Sequence, residues 1–342
     1  MSRVPLAPTR VAPIVRRACL LVLATLLVAV FFGPTQATEP PASTEDEPAL
    51  ALIPAERAER PPEMVAPLPP LGSFPLESGE LESEAPKKKL FWDKKLSFVG
   101  LPDSLLWGVP WANQREPRMY ATFNNALRHS TIDTAIGAEW GLLRLAPEKP
   151  FEGFQLDMLA AVFTRFDDGA LMAADYRVGA PFTYAKDNWQ AKLGYEHTSG
   201  HFGDKFIDHN PDYPRRSFTR DEIVGGLAYR FWDQFRVYGQ VGIAFGKRRP
   251  PNGDERYDTG LEWSRPLFAS IPLQPFAAID LDFRPEQNYI INRTVQVGWR
   301  WQNPDTRRAV RLALEYYAGR DPFGAFVRNT ENWIGFSLLL DW

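Results

Sequence analysis

The stretch Ile334-Gly335-Phe336-Ser337-Leu338-Leu339-Leu340-Asp341-Trp342 decides the fold. Ile334, Phe336, Leu338, Leu340 and Trp342 share one parity, while Gly335, Ser337 and Asp341 fall on the other. That is the two-residue period of a strand with one apolar and one polar face. A helix would group its apolar residues three and four apart, and these do not group so.

Working back from this strand, the same alternation recurs in about twelve segments. They fall near 118–127, 132–145, 153–166, 171–183, 188–201, 217–231, 235–246, 257–267, 273–284, 290–302, 308–319 and 331–342. The apolar face of most of them carries Val, Ile, Leu, Tyr, Trp and Phe. The other face carries Arg177, Lys192, Glu196, Arg220, Glu222, Arg230, Asp280, Asp282, Arg311 and Glu315. A soluble sandwich turns its apolar face inward and has no need of so many charges at strand centres. Turning the apolar face outward, to lipid, and closing the sheet leaves no strand edge unpaired in hydrocarbon. The expectation is therefore an all-β chain, a closed antiparallel transmembrane β-barrel of about 12 strands, set in the bacterial outer membrane. Connection lengths agree. Counted from a last strand that ends in the periplasm, the turns at 303–307, 268–272, 232–234 and 184–187 are short. Most of the opposite connections, 320–330, 285–289, 247–256 and 202–216, are longer.

Composition supports this class and removes others. The chain has 342 residues, 44% hydrophobic and 13% aromatic, so it is neither fully disordered nor collagen-like. A net charge of -3 offers no basic field for nucleic acid, and none is expected as a partner. The single cysteine, Cys19, excludes a disulfide scaffold and a cysteine-clustered metal site. Before the barrel, Arg3, Arg10, Arg16 and Arg17 precede an apolar run from Ala18 to Phe32. Thr35-Gln36-Ala37 then offers small residues for cleavage, so 1–37 reads as a signal peptide. Residues 38–90 are rich in Pro, Glu, Ala and Ser and read as a disordered linker. Residues 91–116, aromatic and broken by proline, read as an N-terminal cap or lead-in to the barrel at 117–342. Twelve strands make a narrow lumen, in which side chains of both signs meet and plug the passage.

One hairpin carries chemistry. Trp189, Ala191, Leu193 and Tyr195 face lipid, so by parity His197 and Ser199 do too, near the external end. An imidazole beside a serine hydroxyl can take its proton as it attacks an ester, and a third group on the far ring nitrogen holds the tautomer. A hairpin symmetrical about position 209 sets Asp221 opposite His197 and Thr219 opposite Ser199. Ser199 is then the nucleophile, His197 the base and Asp221 the orienter of a lipid acyl-ester hydrolase. The competing expectation is a non-catalytic envelope barrel or a narrow channel. In the outgoing loop Asp204, Asp208 and Asp212 could supply oxygen ligands to calcium.

The His197-x-Ser199 hairpin and the twelve-strand plan resemble outer-membrane phospholipase A and the lipid A deacylase. The resemblance implies a lipid-facing hydrolase, with Asp221 where those families carry asparagine or glutamate. A wider likeness spans Ala112 to Arg118, His197 to Asp204, Tyr213 to Glu222 and Gly225 to Arg230. On these segments the chain resembles a bacterial family of outer-membrane barrels catalogued as domain of unknown function 1207. The C-terminal strand, ending in Trp342, resembles the signature through which assembly machinery receives such barrels. Expected partners are outer-membrane lipids, that machinery, and a second copy of the chain in a homodimer.

Overall fold

Alternating side chains build strands throughout the computed structural model, which describes residues 96–126, 130–147, 149–214, 218–247, 253–265 and 273–341. Residues 1–37, expected as a signal peptide, residues 38–90, expected as a linker, and Trp342 lie outside the described residues. The strands are β1 (Ser97–Gly100), β2 (Met119–Ala126), β3 (Ser130–Ala146), β4 (Gly153–Asp167), β5 (Ala170–Lys186), β6 (Trp189–Phe202) and β7 (Phe218–Phe231). There follow β8 (Phe235–Lys247), β9 (Glu255–Ser264), β10 (Leu273–Phe283), β11 (Ile291–Gln302), β12 (Ala309–Arg320) and β13 (Thr330–Asp341). A helix, α1 (Asp204–His209), sits between β6 and β7.

From β2 to β13 each strand pairs antiparallel with the next, and β13 pairs back onto β2 with Phe336 opposite Phe123. The ring closes with twelve strands. Closing the ring pairs the first barrel strand with the last, so the ladders between neighbouring strands satisfy their backbone where the wall meets hydrocarbon. One end carries the connections 147–152, 187–188, 232–234, 265–272 and 303–308 and is called the turn end. The other, the loop end, carries the longer segments 203–217, 248–254, 284–290 and 321–329, with the short 127–129 and 168–169. β5 continues to Lys186, past the turn expected at 184–187. Asp187, at φ 52°, makes the reversal instead, a conformation that aspartate tolerates.

Outward positions are apolar as the alternation demands. Leu193, Leu227, Leu314, Phe336 and Ile334 are exposed on the outer wall. At the turn end Phe231 stacks on Phe235 at 5.2 Å with Trp232 edge-on to both, and Trp189 meets Tyr229 at 4.7 Å. Such rings form the girdle of a membrane barrel, apolar in body and polar at the tip.

Inward positions are charged and buried. Arg165 forks onto both oxygens of Asp133 at 2.7 Å and reaches Asp321 at 2.7 Å. Arg177 holds Glu196 at 2.5 Å, and Arg311 holds Asp341 at 2.5 Å. These pairings matter because an isolated charge in a closed lumen would cost several kcal/mol.

The strands do not fill the lumen alone. Residues 91–116, expected as a cap or lead-in, do something more specific where they are described. β1 pairs with Leu143–Ala146 of β3, beyond the reach of β2, which pairs with β3 only at Ser130–Ala135. From there the chain threads into the barrel. Trp107 is wholly buried, with the guanidinium of Arg236 5.0 Å from its ring, and a Cβ on Gly226 would stand 3.0 Å from that indole. The Trp111 amide donates to Glu262 at 2.7 Å, Asn113 donates to Asp258 and Asp280, and Gln114 donates to Glu315 at 2.6 Å. Arg115 pairs with Asp175 at 2.8 Å. Two cavities beside this plug measure about 20 Å³ and about 10 Å³.

Candidate functional site

β6 and β7 pair in the register that places His197 opposite Asp221 and Ser199 opposite Thr219. On the other flank β5 sets Val178 beside His197 and Tyr176 beside Ser199. The surroundings on this outer wall are apolar: Tyr176, Val178, Ile223 and Phe245 are all exposed. The polar group is therefore an island in the lipid-facing surface, toward the loop end.

Within it His197 Nδ1 lies 2.8 Å from Asp221 Oδ1, both side chains being about a quarter to a third exposed. A carboxylate accepts only, so the contact fixes the proton on Nδ1 and leaves the Nε2 lone pair as the basic face of the ring. Tyr195 Oη donates to the same Asp221 oxygen at 2.6 Å. Tyr195 is thus a third polar partner that parity alone marked only as lipid-facing. Its diagonal position to Asp221, with Ile223 directly opposite, is the signal that could have found it.

Asp221 reaches its partners because β8 yields to it. The pairing of β7 with β8 skips a residue, so that Asp221 faces Gly246 and Glu222 faces Ala244, with Phe245 as the extra residue of a bulge. A Cβ on Gly246 would stand 2.7 Å from Asp221 Oδ2. The glycine keeps that space open. Ser199 shares the wall with His197, but among the described residues its hydroxyl makes no hydrogen bond.

The metal expectation has a different outcome. Asp204 and Asp208 lie one helical turn apart on the six-residue helix α1, and Asp212 lies beyond its end. Among the described residues no three acidic, histidine or cysteine side chains gather around one point where an ion could sit.

Residues 110–342 match the family described as Protein of unknown function (DUF1207). The chain belongs to that family. The match takes in the segments at 112–118, 197–204 and 213–230 that carry the sequence likeness. No curated protein matches the chain. Among solved structures it is similar to the outer membrane phospholipase dimer of Salmonella typhi with bound calcium. That likeness has 14% identity and a TM-score of 0.46, over 68% of this chain and 94% of that one. Outer membrane phospholipase A from Escherichia coli is similar at 12% identity and TM-score 0.44, over 70% and 96%. LpxR from Salmonella typhimurium is similar at 9% identity and TM-score 0.36, over 66% and 99%. The likeness is one of outer-membrane β-barrel plan.

Proposed function

We propose that the protein is an outer-membrane hydrolase of lipid acyl esters, delivered by the export signal at 1–37. The observation that carries this reading is the 2.8 Å contact of Asp221 with His197 Nδ1 on the lipid-facing wall, one strand period from Ser199. His197 Nε2 accepts the Ser199 proton as Oγ attacks the acyl carbonyl. The ester C–O bond then breaks, the imidazolium returns its proton to the leaving alcohol, and water releases the fatty acid in a second turn of the same acid and base. Asp221 and Tyr195 position the imidazole. A lipid reaches the site sideways through the bilayer, without entering the lumen.

Fatty-acid release from mixed micelles by the refolded protein tests this. Ser199→Ala is expected to lower the rate roughly 10³-fold or more. Equal release by both proteins removes the enzyme reading. The unbonded Ser199 hydroxyl favours the second reading, a non-catalytic barrel whose His197, Ser199 and Asp221 bind headgroups at the membrane surface, where polar side chains cost about 0–1 kcal/mol.

A further inference from the structure

Five guanidinium groups, those of Arg115, Arg177, Arg220, Arg256 and Arg284, surround one cavity of about 20 Å³ at the loop end of the lumen. Three of them are occupied. Arg177 donates to the Arg115 carbonyl and to Glu196. Arg220 divides its fork among Glu222, Glu286 and the Asp254 carbonyl. Arg256 holds Glu222 and Asp258.

Arg115 and Arg284 are different. Arg115 is 4% exposed, and its Nη2 pairs with Asp175, but its Nη1 is buried and has no hydrogen-bond partner among the described residues. Arg284 gives Nε to Asp282, and among the described residues its two terminal nitrogens have no acceptor. The two guanidinium groups face the same cavity, and Arg284 acts unfavourably on Arg115, while Asp282, Asp258 and Glu286 favour the charge on Arg284. Its carboxylates, Glu222 and Glu286, are already held by Arg220 and Arg256. Water could accept from these donors, but it would bring no negative charge between them. An oxyanion does both, and a tetrahedral one meets donors arriving from two sides better than a planar carboxylate.

We propose that the loop-end mouth of the lumen is a binding site for a phosphate group, free or carried on a headgroup, held between Arg115 and Arg284. The group sits above the plug, since Arg115 belongs to the plug and Arg284 to the rim where β10 ends. It is separate from the outer-wall patch of His197 and does not depend on catalysis there.

Calorimetric titration of inorganic phosphate, and separately of glycerol phosphate, into the refolded full chain at low salt tests the proposal. Saturable one-site binding is expected, weakened about tenfold or more by Arg284→Gln. It should be unchanged in Arg308→Gln at the turn end. No saturable binding of either probe, or equal affinity in Arg284→Gln, overturns the proposal. Tighter glycerol phosphate assigns the site to a headgroup, and tighter inorganic phosphate assigns it to the free ion. If Arg284→Gln does not refold, phenylglyoxal labelling of the wild-type chain, read by mass spectrometry, replaces it. Phosphate should slow labelling of Arg284 and not of Arg308. Labelling of Arg284 at the same rate with and without phosphate overturns the site.

Discussion

Leu314 and Glu315 are neighbours on β12 and belong to different solvents. Leu314 is 56% exposed on the outer wall, while Glu315 is 1% exposed in the lumen, where Gln114, Gln296 and Ser337 donate to it. The whole barrel repeats this contrast. Outside the patch of His197, Asp221 and Tyr195, its outer wall needs mainly to be apolar. Its inner wall is a network in which charges such as Arg165, Arg177 and Arg311 rely on partners from other strands. The two faces should therefore fail differently: the inside by loss of a specific partner, the outside by any gain of charge.

Removing the plug should break the contrast most completely. Deletion of residues 101–117 leaves Glu262, Asp258, Asp280, Glu315 and Asp175 without the donors that 111–115 bring. The lumen should then admit water and ions. In planar bilayers the full chain is expected to be silent and the deleted chain to conduct. A conducting full chain would refute the filled lumen and restore the narrow-channel reading.

Arg165→Ala is the next largest effect. It leaves Asp133 and Asp321 buried and uncompensated, a loss of about 3–5 kcal/mol in reversible urea unfolding. Replacing Arg165, Asp133 and Asp321 together by apolar residues should recover much of that loss, since the desolvation cost disappears with the charges. On the outer wall, Leu314→Arg is expected to cost about 2–4 kcal/mol, because Leu314 lies at the strand centre opposite Phe336 and Val297. The same change at Ile291, near a strand end, should cost about 1 kcal/mol or less. A flat profile between those positions would argue against a lipid-facing wall.

How legible all this was follows from the same contrast. The outer wall is periodic, so the strand alternation located the barrel strands to within a few residues, and a hairpin symmetrical about position 209 gave the pairing of His197 with Asp221. The inner contacts have no period. Gln114 meets Glu315 and Trp111 meets Glu262 across most of the chain, and nothing local in the plug segment marks those partners. β1 was invisible for a related reason: four residues, Ser97–Gly100, are too few to show alternation. The bulge at Phe245 escaped because hairpin symmetry assumes one residue against one.

Tyr195 gives the smallest effect and the finest separation of the two readings of the patch. Its hydroxyl and His197 Nδ1 share one oxygen of Asp221, at 2.6 and 2.8 Å. Tyr195→Phe keeps the ring packed 6.1 Å from Phe245 and deletes one hydrogen bond, a change of about 1 kcal/mol. If Asp221 orients a catalytic imidazole, that bond steadies the carboxylate, and kcat should fall about fivefold with KM unchanged. In a barrel that only anchors headgroups, the same substitution shifts the unfolding midpoint slightly and leaves no turnover to change. A fall in kcat without a shift in the midpoint would place Tyr195 in the positioning of His197, and a shift without a fall would leave it a girdle residue.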